Sequence, residues 1–217
     1  MHNMLQTTTQ DGDNSNQLAM MRGALLRHLA ASQLPPENLL PEKLSFSSVT
    51  HWEELICTAI NPEAGCLMAL VGIHRTAGYS GPLYSHGSIE YVRFFIDWED
   101  GAGYRPESLT HFKVYDRLPD AVDIERPRYR RVSTSFDQER YLGSLMNGVR
   151  PKVKAVLSWH RVPDMDHEFT PLFGNAVESN LCIDSDKPLD ELIRDYSQGE
   201  LVLCKQWQGA PLQTRLQ

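Results

Sequence analysis

Ile89–Trp98 reads IEYVRFFIDW, the densest run of aromatic and β-branched side chains in the chain. Such side chains lose rotamer freedom in a helix and pack well on a pleated surface, so the run predicts a strand. Others of the same kind flank it: Leu55–Ile60, Cys66–His74, Leu109–Tyr115, a short Ala121–Ile124, Lys152–Trp159, Asn175–Ile183 and Glu200–Trp207. In Cys66–His74 the residues Leu67, Ala69, Val71 and Ile73 alternate onto one face. Turn residues separate the runs, as in Asn61–Gly65 and Glu99–Gly103, and Thr76–Pro82 reads as an irregular surface loop. About seven or eight strands without regular helical crossovers exclude a parallel α/β sheet. The expected fold is mainly β: an antiparallel β-sandwich, preferred to a barrel because strand lengths are uneven.

Helical patterns are confined to the ends and to one central stretch. Leu18, Met21, Leu25, Leu26 and Leu29 recur at three- and four-residue spacing, Ser15 or Asn16 can cap the start, and Pro35-Pro36 stops the helix. Pro188–Tyr196 predicts a short C-terminal helix, with Asp190 and Glu191 at the positive end of its dipole. Phe136–Met146 has weak helical character. The organisation is then a polar leader at 1–16, a helix and connector at 17–45, and a β domain at 46–217 with an insertion at 126–150.

With 217 residues the chain can bury one ordinary core, and its net charge of −7 opposes generic attraction to nucleic acid or anionic lipid. No apolar run approaches a membrane span, and Met1–Gln17 lacks the layout of an export signal, so the expected location is cytoplasmic. Cys57, Cys66, Cys182 and Cys204 lie far apart and predict free thiols.

Three segments carry a resemblance: HWEELICTAINPEAGCLMALVGIHRTAGYSG at 51–81, HGSIEYVRFFIDW at 86–98 and RPKVKAVLSW at 150–159, with Phe173-Gly174-Asn175 before a late strand. Together they resemble a family of uncharacterised bacterial proteins, found alone or attached to other domains. The resemblance implies a compact β-rich module and brings no established activity. Members of that family pass quickly from the strand near Ile124 to the one near Val153, whereas 126–150 is enlarged here. The N-terminal helical segment is also additional.

Candidate sites are few. Asp97, Asp164, Asp166, Asp184 and Asp186 stand in loops or at strand ends, where carboxylates could gather around Ca²⁺; the same residues serve ordinary turns. His51, His74, His86, His111, His160 and His167 show no zinc-ligand spacing. Ser158 and His160 share a strand face but have no third catalytic partner in sequence, and no nucleophile elbow or phosphate loop is present. Tyr79, Tyr84, Tyr91, Trp98 and Tyr104 could form a sugar platform, though strand aromatics ordinarily fill cores. Arg126, Arg128, Arg130 and Arg131 interleave with Tyr129 and suit an acidic partner, a nucleic acid or a solvated face.

The expected function is therefore that of a non-enzymatic interaction or scaffold subunit of a larger bacterial assembly, with another protein subunit as partner and no cofactor. Its contacts are expected at Leu18, Met21, Leu25 and Leu29 of the helix and at Arg126, Arg128, Arg130 and Arg131. Two alternatives stay open: a Ca²⁺- or Zn²⁺-dependent binding domain or hydrolase built on the Asp loops, and a nucleic-acid-contacting subunit built on the arginines.

Overall fold

The computed structural model describes residues 17–27, 48–61, 64–117, 128–146, 151–179, 181–182 and 205–206. A helix, α1 (17–27), precedes the strands β1 (Glu53–Asn61), β2 (Cys66–Ile73), β3 (Ser88–Asp97), β4 (Tyr104–Val114) and β5 (Arg128–Ser135). After the helix α2 (Gln138–Met146) come β6 (Lys152–Trp159), β7 (Ala176–Ser179), β8 (Leu181–Cys182) and β9 (Lys205–Gln206). All strand pairings are antiparallel. They form a three-stranded sheet ordered β1-β2-β5, a four-stranded sheet ordered β4-β3-β6-β7 and the small pair β8-β9. The chain is thus mainly β with two principal antiparallel sheets and few helices.

One hydrophobic cluster draws on both principal sheets. Leu55, Leu67, Ala69, Val71, Ile73 and Val132 come from the first, and Val92, Phe94, Ile96, Val153, Ala155 and Leu157 from the second. The period-two face read from β2 is therefore the core face. In β1 the pairing shifts between Leu55 and Cys57, so Ile56 is an extra residue and the inward parity changes. Glu53 and Leu55 are buried before the bulge, Thr58 and Ile60 after it.

Within 126–150, the stretch expected as an arginine-bearing insertion, residues Arg128–Ser135 form a strand. Val132 sits in the core opposite Ala69, Arg130 and Arg128 continue the same face towards the end of the sheet, and Arg131 is on the opposite face. β5 then leads into α2, whose N-cap is Asp137: its carboxylate accepts the Arg140 amide at 2.9 Å. Phe136, just before that cap, packs edge-on against buried Tyr141 at 5.5 Å, stapling the first turn.

α1 lies against the chain's own core. Leu18, Met21, Leu25 and Leu26, the stripe expected to need a covering surface, pack on the main cluster. Leu29, the leader at 1–16, the strand expected at Ala121–Ile124 and the C-terminal helix expected at 188–196 lie outside the described residues.

Phe173-Gly174-Asn175 ties the two sheets together. Val49 bridges to Phe173, and the Gly174 amide donates to the Val49 carbonyl at 2.9 Å. Gly174 has φ 102°, and a Cβ there would collide with the Leu157 carbonyl oxygen. The Asn175 side chain accepts from the Leu55 amide at 2.7 Å and donates to the Leu55 carbonyl at 3.0 Å. Meanwhile its backbone carbonyl accepts the Leu157 amide at 2.9 Å. One residue thereby bonds β1 of one sheet and β6 of the other.

Candidate functional site

The loop Thr76–Gly87 separates two polar features, a buried chamber and an open cleft. Its shape follows from Asp116, just after β4, whose carboxylate accepts the amides of Tyr79 (2.7 Å) and Gly81 (2.9 Å). Gly78 and Gly81 have φ of 104° and 96°, conformations that favour glycine, and a Cβ on Gly78 would strike the Trp52 indole. The turn is held further by Tyr79 donating to the Trp52 carbonyl at 2.8 Å and Trp52 donating to the Ala77 carbonyl at 3.2 Å.

The chamber lies at the end of the core where β1 and β3 begin and β6 ends. Into it α1 inserts Arg22, which is fully buried. The guanidinium makes an end-on pair with Glu53: Nη1 donates to Oε1 at 2.7 Å and Nη2 to Oε2 at 2.9 Å. Its Nε donates to the Gly78 carbonyl at 3.0 Å. Four aromatic rings surround the cation, with centroids 4.4 Å (Trp159), 4.8 Å (Trp52), 4.9 Å (Phe173) and 5.3 Å (Tyr79) from its central carbon. Burial pushes the Glu53 carboxyl above its ordinary range, opposed by the charge and hydrogen bonds of Arg22.

A second carboxyl, Glu90, occupies the inward face of β3 two residues before Val92. It is fully buried and neither oxygen makes a hydrogen bond. Burial first, and the Glu53 charge next, drive its pKa well above the usual carboxylate range. His160 is also buried, with both ring nitrogens unbonded, and burial aided by the Arg22 charge lowers its pKa to about 4. Ser158 and His160, read in sequence as sharing a strand face, are not hydrogen-bonded: the chain turns to φ 54° at His160, directly after β6.

The cleft opens on the other side of the loop, with a volume of about 550 Å³. Lys113, Arg117, Arg128 and Arg130 supply positive charge, and Ile73 and Leu83 supply apolar surface. Arg130 lies over the Phe112 ring at 4.9 Å and donates to the Lys113 carbonyl at 3.2 Å, which fixes its stem along the strand. Arg128 donates to the Arg75 carbonyl at 3.3 Å. Leu83, which lines the cleft, is 76% exposed, and its chain neighbour Tyr84 is 93% exposed.

Of the arginines singled out in sequence, Arg128 and Arg130 line this cleft, Arg131 is exposed on the same strand, and Arg126 is outside the described residues. Asp97 and Asp166 act as turn acceptors, for the amides of Glu99 (2.8 Å) and Glu168 (3.0 Å). Asp184 and Asp186 are outside the described residues, and among those described no three His, Cys, Asp or Glu gather as a metal site. Tyr79 and Trp98 belong to the core rather than to a sugar platform. Cys57 and Cys66 are half-buried and form no disulfide. No helix among the described residues is long and apolar enough to cross a membrane.

Sequence reasoning missed Arg22, Glu53, Glu90 and Asp116. The signal was a charge on an apolar face: Arg22 stands four residues from Leu18 and three from Leu25, and Glu90 is in phase with Val92, Phe94 and Ile96.

No family model and no curated protein matches the chain. Among solved structures, the crystal structure of β-glucosidase from Kluyveromyces marxianus in complex with glucose aligns with 60% of this chain and 14% of its own. The identity is 7% and the TM-score 0.26. The chain thus spans a small part of that protein's length.

Proposed function

We propose that this chain is a β-sandwich binding module, the non-enzymatic subunit of a larger assembly, which captures an acidic segment of a partner protein in the cleft beside β5. The sandwich reading is supported by the main hydrophobic cluster, which is shared between the two sheets. The observation that carries the binding reading is the exposed Leu83 lining one cleft with Lys113, Arg117, Arg128 and Arg130. Arginine forks match carboxylates in pairs, and exposed apolar anchors beside them suit a polypeptide that carries both kinds of side chain. A nucleic acid would use the cations but gain little from an exposed leucine.

A short labelled peptide of glutamates and leucines, titrated against the full chain beside a single-stranded oligonucleotide of equal charge, tests this. The peptide is expected to bind, more weakly at higher salt, and the double change Arg128→Glu, Arg130→Glu to cost about tenfold or more. Leu83→Asp is expected to weaken the peptide without affecting any residual oligonucleotide binding. Preference for the oligonucleotide, or peptide binding that survives the charge reversal, overturns the proposal.

A further inference from the structure

We propose that the chamber under α1 is a guanidinium-binding site, and that its internal occupant, Arg22, exchanges with the guanidinium of an external arginine and so releases α1 from the sheets. The site recognises this group by shape as well as charge. A carboxylate takes the end-on fork at 2.7 and 2.9 Å, a carbonyl takes Nε at 3.0 Å, and aromatic rings surround the delocalised cation. An ammonium ion, a point charge on a flexible stem, could not make the paired fork contacts.

Two further observations go beyond a simple structural ion pair. First, the chamber holds polar groups that Arg22 does not use: both oxygens of Glu90 and both ring nitrogens of His160 are buried and unbonded. Buried polar groups left unbonded destabilise the closed arrangement that carries them, and opening the chamber would let water satisfy them. Second, the helix that delivers Arg22 is held at one deep point. Leu18, Met21, Leu25 and Leu26 are only partly buried, and Met20 is 67% exposed, whereas Arg22 is fully enclosed. Removing the guanidinium from the chamber therefore removes the main anchor of α1. Because Arg22 is tethered, an outside competitor works against an effective concentration on the order of millimolar.

The test uses the full chain. Arg22→Ala leaves Glu53 buried without its partner, and its melting temperature is expected to fall by roughly 10 °C. Ethylguanidinium at low millimolar concentration is expected to restore much of that loss saturably, while ethylammonium does not. In the unaltered chain, a capped arginine-containing peptide or ethylguanidinium is expected to speed amide exchange at 17–27 while the sheets stay protected. A response to the peptide alone identifies a polypeptide as the source, and a response to both identifies the free group as sufficient. If Arg22→Ala does not fold, Arg22→Met keeps the chamber filled, and the exchange measurement needs no variant. Exchange at 17–27 that is unmoved by saturating amounts of either compound makes Arg22 a fixed staple and overturns the proposal.

Discussion

His160 and Glu90 show how a single residue can carry a pH dependence. The folded chain holds the His160 imidazole neutral down to about pH 4, by burial and by the nearby Arg22 charge. An unfolded histidine accepts its proton near pH 6.5. Between these values the unfolded state binds a proton that the folded state refuses, so stability falls as pH falls through this window. The full shift corresponds to roughly 3 kcal/mol. Replacing His160 with Asn, which tolerates its positive φ, is expected to flatten the denaturation midpoint between pH 7 and pH 4 relative to the unaltered chain. Equal slopes for the two proteins would refute that assignment. Glu90 acts with the opposite sign. Its raised pKa means that the folded state holds a proton the unfolded state releases, so its contribution is lost as pH rises. Of the two buried carboxyls, only Glu53 is hydrogen-bonded by the Arg22 guanidinium.

At the scale of elements, the strands were legible where side chains alternate on a half-buried surface. β2, β3 and β6 were read closely because Leu67–Ile73, IEYVRFFIDW and KVKAVLSW carry that alternation openly. β5 was not, because the arginines around Val132 hid a period of two that only the pairing with β2 reveals. The chamber was illegible for a related reason. Arg22, Glu53 and Glu90 come from three elements far apart in sequence, and no local spacing links them. Phe173-Gly174-Asn175 stands out in sequence before a late strand, but a side chain bridging two sheets leaves no periodic trace. Gly174→Ala is expected to destabilise the chain by about 3 kcal/mol or more, since it adds a Cβ where Leu157 leaves no room and φ is 102°. A melting temperature within a degree or two of the parent would show that this junction relaxes freely.

For the whole molecule, the loop Thr76–Gly87 gives chamber and cleft a common wall. Gly78 and Tyr79 face Arg22, Leu83 lines the cleft, and the Asp116 carboxylate fixes the turn between them. Asp116→Ala removes an acceptor that serves two backbone amides. The expected result is a melting temperature lowered by roughly 5 °C, together with weaker binding of the acidic peptide in the cleft. Loss of stability with unchanged peptide affinity would mean that the two features are independent. The arginines of β5 have one more effect. Among the described residues, in the order β1-β2-β5, this strand is an edge of its sheet, with one row of backbone groups unpaired by β2. Such a row is a template for a strand from another chain. Arg128, Arg130 and Arg131 line it with like charge, so a second β5 approaching in the same way meets repulsion before hydrogen bonds can form. The side chains proposed to meet an acidic partner in the cleft thus also oppose edge-to-edge pairing of two copies of β5.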